Sequence, residues 1–178
     1  MADLLATLKL GEAEGLRGDF KAFAHRHQLP PERANRGGDW TTWLLLGGRG
    51  AGKTRAGAEW VRTLAASDPN ARIALIGETE HEAREVMVEG VSGVLAAHRD
   101  DERPEWAPTR RLLQWKNGAV AQVFSAEDPD NLRGPQFSAA WLDELAKWRH
   151  EDPVAPINAW RSPREPLDAF ATFEGFEI

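Results

Sequence analysis

Gly47-Gly48-Arg49-Gly50-Ala51-Gly52-Lys53-Thr54 places glycine, lysine and threonine at the spacing G-x-x-x-x-G-K-T. Glycines tolerate positive φ and let the backbone approach closely, so successive N–H groups turn inward around a phosphate. The pattern predicts that Lys53 reaches the β- and γ-oxygens and that the Thr54 hydroxyl ligates Mg²⁺. The flanks agree. Trp43-Leu44-Leu45-Leu46 is a short apolar run ending in glycine and reads as a buried parallel strand. Downstream, Ala56, Trp60, Val61 and Leu64 recur at helical spacing. A helix therefore opens at the loop with its positive dipole end toward the phosphates. Strand, glycine loop and helix together predict a nucleoside triphosphate site.

Further along, Ile73-Ala74-Leu75-Ile76-Gly77 reads as a second apolar strand with a glycine exit. The loop helix should end near Ser67-Asp68-Pro69, where proline stops it. A helix is expected from about Glu80 to His98, with Ala83, Val86, Met87, Val91, Val94 and Leu95 on one side. Residues 99–110 are charged and proline-bearing and read as a surface loop. Arg111 to Lys116 and Ala119 to Phe124 flank Asn117-Gly118, a strong hairpin signal. Ahead of the glycine loop, Leu4 to Leu10 and Phe20 to His27 suggest short amphipathic helices. Three regions follow: a helical preface over 1–38, a core over 39–150 and a proline-rich tail over 151–178. Alternating strands and helices point to an α/β fold, a P-loop NTPase with a mostly parallel sheet flanked by helices.

A second chemical element lies at Phe137-Ser138-Ala139-Ala140-Trp141-Leu142-Asp143-Glu144, an apolar strand delivering two carboxylates at its carboxyl end. In an open parallel sheet that end faces the ligand crevice. Mg²⁺ needs a hard oxygen anion opposite Thr54, which suits Asp143. Hydrolysis needs a base for the attacking water, which suits Glu144. Two carboxylates favour hydrolysis over transfer to a small acceptor, for which neither lid nor acceptor site is visible.

Composition sets wider limits. The chain has 178 residues, 42% of them hydrophobic, enough for one domain with a real core. It has no cysteine, so disulfides and thiolate metal sites are excluded, which suits a reducing cytoplasm. Neither a secretory signal nor an apolar run long enough to cross a membrane is present. The net charge of −6 argues against a DNA-coating protein but leaves room for a local basic patch. His25, His27, His81, His98 and His150 lack metal-ligand spacing and are expected on the surface.

Three segments resemble one known family. The stretch from Gly47 to Trp60 looks like the Walker A segment of large terminase subunits, the DNA-packaging motors of tailed phages and gene transfer agents. The same holds for Ser125-Ala126-Glu127-Asp128-Pro129 with Leu132-Arg133-Gly134-Pro135-Gln136, and for Leu142-Asp143-Glu144-Leu145-Ala146-Lys147-Trp148. The resemblance runs from about Gln28 to His150 and implies an ATPase working in a ring at the capsid portal. Its implied partners are double-stranded DNA, the portal protein and the small terminase subunit, in the bacterial host cytoplasm. It also gives Arg49 a role on γ-phosphoryl charge in cis, and Arg133 a role as a finger offered to the neighbouring subunit. Gln28 matches a position that reads the adenine edge.

The sequence departs from the family after Trp148. Pro153, Pro156, Pro163 and Pro166 forbid a long helix there. The Thr/Ser-rich coupling motif and the nuclease domain of a full large terminase are not visible. The strand between the two catalytic strands is therefore expected to be missing; Ala169 to Phe173 offer a strand but lack the motif. These departures read as a truncated or frame-disrupted product, incomplete on its C-terminal side. Two classes stay open: an ATPase module, weak or inactive alone, and a non-catalytic nucleotide-binding remnant or assembly partner.

Two-metal cleavage of DNA needs several carboxylates converging on ions about 3.5–4 Å apart. Besides Asp143 and Glu144, the acids are expected in solvated runs such as Asp100-Asp101-Glu102 or in the proline-broken tail, with no converging set. The 178-residue chain should therefore not nick plasmid DNA with Mg²⁺ or Mn²⁺. Cleavage that persists through purification and disappears on mutating one of its acids would contradict this.

Overall fold

The computed structural model describes residues 19–132 and 136–148, with the backbone of Asp168–Phe173. The expectations for residues 4–10, Arg133, His150 and the tail prolines lie outside the described residues. Seven strands form one sheet in the order β1-β7-β6-β2-β5-β4-β3. They are β1 Thr42–Leu46, β2 Arg72–Gly77, β3 Glu105–Ala107, β4 Leu112–Gln114, β5 Val120–Ser125, β6 Ala139–Leu142 and β7 Asp168–Phe173. From β1 across to β5 every pairing is parallel; β4 and β3 add an antiparallel edge. The fold is the expected α/β one.

Among the described residues the α-helices are α1 Phe20–Phe23, α2 Lys53–Ser67, α3 Glu80–Glu82 and α4 Val94–Ala97. A strand's side chains alternate between faces, and both faces of this sheet are used. Ile73 and Leu75 of β2, and Ala139 and Trp141 of β6, join Ala56, Trp60 and Val61 of α2 in one core cluster. Their neighbours Ala74, Ile76, Ala140 and Leu142 pack on the opposite face with Phe124, Leu132, Phe137 and Trp148. Each large apolar side chain fully buried in this way contributes about 1.5–3 kcal/mol.

Several expectations need correction. The central strand is present: β7 pairs in parallel with β1 on one side and β6 on the other. This stretch lacks the coupling motif, but backbone pairing needs no motif. Strand β1 is not buried on both faces. Trp43 and Leu45 are in the core, whereas Leu44 and Leu46 are exposed, because only one face of β1 is covered. The helix expected over Glu80–His98 is broken. After α3 the chain widens into a π-helix at Ala83–Val88, which brings the consecutive Met87 and Val88 both into the core. A turn across Gly90-Val91-Ser92-Gly93 then precedes α4. Residues 99–110 are not all loop, since β3 and a 3-10 turn at Pro108–Arg110 lie within them. The hairpin is as expected: β4 and β5 pair antiparallel around Asn117-Gly118, and Asn117 Nδ2 donates to Ala65 O of α2 at 2.6 Å.

His98 is a further correction, for it is buried rather than on the surface. Trp115 Nε1 donates to His98 Nε2 at 2.9 Å, and His98 Nδ1 lies 2.7 Å from the Val94 carbonyl. These partners require a neutral ring protonated on Nδ1. Burial lowers its pKa from the ordinary 6.5, with Arg62 adding to the effect and Val94, Glu102 and Glu59 opposing it. The unfolded chain thus takes a proton that the folded chain resists. His98 contributes its full stability above the unfolded pKa and loses it as pH falls below 6.5 toward the folded value. His98→Leu keeps bulk but gives Trp115 no acceptor, so it should cost about 1–3 kcal/mol at pH 8. The gap between parent and variant in denaturant melts should narrow toward pH 5. A gap constant from pH 5 to 8 would contradict the buried neutral ring.

Candidate nucleotide site

Strand β1 runs directly into the glycine loop. Gly50 and Gly52 take φ of +80° and +77°, and Gly52 caps α2 in the left-handed region. Only glycine adopts these angles without strain. Lys53 is buried, and its Nζ donates to the carbonyls of Gly47 at 2.9 Å and Gly48 at 3.1 Å. The lysine is thus folded across the opening of the loop. A methyl at Gly47 would stand 2.9 Å from Ala51 Cβ, so the loop has no room for a side chain there. Arg49 is exposed, and no ion pair to it falls among the described residues.

The chain before β1 covers the loop. In the 3-10 turn Arg26–Gln28, Gln28 Nε2 donates to Ala51 O at 3.3 Å and its Oε1 accepts from His25 N at 2.8 Å. A Cβ at Gly52 would lie 2.1 Å from Gln28 Nε2. His27 Nε2 approaches the same Ala51 carbonyl at 3.4 Å. Gln28 therefore packs on the loop itself, and His27 arrives there with no sequence signal.

The second element leaves β6. Asp143 N donates to Ile76 O at 2.9 Å, extending the β2–β6 ladder one residue past the strand. Glu144 then turns into the left-handed region at φ 49°, ψ 48°, unusual for a residue with a Cβ. A 3-10 turn follows at Leu145–Lys147, and buried Trp148 donates its indole N–H to Asp143 O at 3.1 Å. Lys147 ion-pairs with Glu144.

Because β1, β7, β6 and β2 are all parallel, their carboxyl ends share one rim of the sheet. On that rim Thr54, Asp143 and Glu144 line a single cleft with Gly77, Glu78, Glu82, Ala83, Met87 and Lys147. The sequence singles out Thr54, Asp143 and Glu144 but not Glu78, Glu82 or Lys147. Glu78 follows the glycine exit of β2, the one local cue to it. Among the described residues, no three His, Asp or Glu side chains gather closely enough to hold a metal ion by themselves. Two larger hollows lie along α2, on either side of the Arg62–Glu102 ion pair, and contain none of Thr54, Asp143 and Glu144. No helix among the described residues is long and apolar enough to cross a membrane.

A mostly parallel sheet with a glycine loop between its first strand and a long helix, and carboxylates ending a strand two places along, is the arrangement of the P-loop NTPase class. Within that class, residues 44–162, about two thirds of the chain, match the family described as "Terminase large subunit, T4likevirus-type, N-terminal", and the chain belongs to it. No curated protein matches by sequence. Among solved structures, the large terminase of a thermophilic bacteriophage is similar over 90% of this chain and 38% of that one, at 15% identity and a TM-score of 0.62. The ATPase domain of the large terminase from Thermus phage P74-26 is similar over 77% of this chain and 60% of its own length, at 19% identity and a TM-score of 0.51. The N-terminal domain of the bacteriophage phi29 DNA-packaging ATPase is similar over 77% and 74%, at 14% identity and a TM-score of 0.55. At such identities the likeness is one of fold. The first of these terminases has also been solved with ATP-γ-S and with ADP.

The two kinds of glycine in the loop give a stability test. Gly48 is surrounded by open space and has no positive φ, so Gly48→Ala should change folding stability by less than about 0.5 kcal/mol. Gly52→Ala must hold an alanine at φ +77° and should cost about 1–3 kcal/mol. Equal effects in urea melts would contradict the loop conformation.

Proposed function

We propose that the chain is the ATP-binding and ATP-hydrolysing module of a terminase motor that packages double-stranded DNA. The observation that carries this is the shared cleft of Thr54, Asp143 and Glu144 on one rim of a parallel sheet. The loop fits a polyphosphate, because its glycines hold positive φ and the space beside Gly47 is too small for a side chain. Lys53 exchanges the carbonyls of Gly47 and Gly48 for phosphate oxygens. Mg²⁺, which takes one or two protein oxygens and fills its shell with phosphate and water, supplies Lewis-acid charge neutralisation and would be held by Thr54 and Asp143. Glu144 orients the attacking water and takes its proton. The new water O–Pγ bond forms as the bond to the bridging oxygen breaks, and the electron pair leaves with ADP.

Arg49 adds charge stabilisation in cis, and its exposed side chain beside the loop supports that role. Arg133 acts in trans within a ring of identical subunits. Gln28 is assigned to the adenine edge; its packing against Gly52, beside the loop, supports a place next to the nucleotide. The portal protein and the small terminase subunit are the assembly partners, and the site of action is the cytoplasm of a bacterial host. A second reading, a nucleotide-binding assembly partner without turnover, is favoured by one observation: the Glu144 carboxylate is engaged by Lys147.

Two substitutions separate binding from chemistry. Lys53→Ala removes the loop's buried cation, and calorimetric titration should find no Mg·ATP binding. Glu144→Gln keeps shape without the base, so ATP should still bind while hydrolysis falls by about 10²–10⁴-fold. Parent-like affinity in Lys53→Ala would end the nucleotide-site assignment, and parent-like turnover in Glu144→Gln would end the catalytic one.

A further inference from the structure

Arg55 follows Thr54 directly, yet the bonds of its side chain lead away from the phosphate loop. Its Nη2 donates to Glu59 Oε1 at 2.5 Å, one turn further along α2, and its Nη1 donates to Ala96 O of α4 at 3.4 Å. Glu59 is buried, and Arg62 Nη1 holds its other oxygen at 3.3 Å. Arg62 is tied in turn to Glu102 at 2.7 Å. A buried carboxylate between two guanidiniums has its charge compensated and its position fixed. The cation anchored in this way touches α1, for the Arg55 guanidinium carbon stands 5.9 Å from the centre of the Phe20 ring. A cation within about 6 Å of an aromatic face is attracted by the ring's quadrupole.

Phe20 begins a strap that ends at Gln28. Asp19 caps α1 by accepting from Lys21 N at 3.0 Å, and the 3-10 turn Arg26–Gln28 brings the chain to the loop. At that far end Gln28 Nε2 donates to Ala51 O at 3.3 Å, and His27 Nε2 lies 3.4 Å from the same carbonyl. Between the two ends is a hollow of about 360 Å³, lined by Phe20, Gln28 and Leu29 together with Ala56, Trp60 and Thr63 of α2. The strap is thus held at its ends, with open space behind it. We infer that Arg55 is a positioning residue: through Phe20 it clamps the strap on the loop, and so sets the affinity for the nucleoside part of the ligand. This rests on the proposed place of Gln28 beside the nucleotide. In that reading the phosphates belong to the loop, Lys53 and Thr54, none of which the strap supplies. Releasing the Phe20 end lets Gln28 leave, and the apparent affinity falls with the fraction of molecules that keep the strap seated.

The test is calorimetric titration of the full chain with Mg·ATP and, separately, with Mg·tripolyphosphate, which carries the phosphates without a nucleoside. Arg55→Ala and Phe20→Leu should each raise the Kd for ATP about three- to tenfold and leave that for tripolyphosphate within about twofold of the parent's. Made together, they should weaken ATP binding no further than the worse single variant, because both cut one contact. Phe20→Tyr keeps the aromatic face and should bind ATP like the parent. Gln28→Ala should weaken ATP and spare tripolyphosphate. Phe20→Leu leaves the Glu59 bonds untouched, so it reads the clamp even where Arg55→Ala lowers the melting temperature. Parent-like ATP affinity in Phe20→Leu overturns the clamp. So does additive weakening in the double variant, an equal loss for tripolyphosphate, or a Phe20→Tyr affinity as weak as that of Phe20→Leu. Parent-like ATP affinity in Gln28→Ala instead rejects the place given to Gln28, and a parent chain that binds neither ligand rejects the nucleotide site; either result takes the clamp with it.

Discussion

The backbone hydrogen bonds of β7 tie the two halves of the site together. In the sheet order β1-β7-β6-β2, the strand carrying the glycine loop reaches the strand carrying Asp143 and Glu144 only through β7. The register makes the consequence concrete. Leu44 of β1 is level with Ala171, Ala171 with Leu142 of β6, and Leu142 with Ile76 of β2. Just past that row lie the glycine loop from Gly47, the Asp143-Glu144 pair and the Gly77-Glu78 exit. A slip of one residue in either β7 ladder would move the loop against the carboxylates by about 3.3 Å and exchange the faces of a strand.

Both turns of the site use the same backbone region by different means. In the loop, glycines at 50 and 52 enter positive φ without penalty, which leaves the N–H groups free to line a ligand. After β6 a glutamate does so at a cost of about 1–3 kcal/mol. Burial of Trp148 and its bond to the Asp143 carbonyl offset that cost. The strain is located where a side chain must be aimed out of a strand end into a cleft.

The parts legible in the sequence are those whose chemistry is local. The G-x-x-x-x-G-K-T spacing, the apolar runs of β2 and β6, the Asn117-Gly118 hairpin and the face of α2 each declare themselves within a short window. What stays hidden depends on distant partners. Strand β7 pairs with residues more than a hundred positions earlier, and nothing in Asp168–Phe173 names that partner. The exposed face of β1 depends on what packs over the sheet, which an apolar run does not encode. The helix expected over 80–98 has apolar residues at the right spacing, but Gly90 and Gly93 and the π-helix divide it. His98 looks like any other histidine until the fold brings Trp115 to it.

The pairing of β7 between β1 and β6 is open to one direct measurement, made clean by the absence of native cysteine. Oxidative cross-linking of Leu44→Cys with Ala171→Cys tests a pair that the β1–β7 register makes level. Adjacent strands lie about 4.8 Å apart, within reach of a disulfide, whereas strands two places apart do not. The account predicts that the 44–171 pair links rapidly and that Leu44→Cys with Leu142→Cys does not. A 44–142 link in place of the 44–171 link would mean that β1 lies directly against β6, and would contradict the central role given to β7.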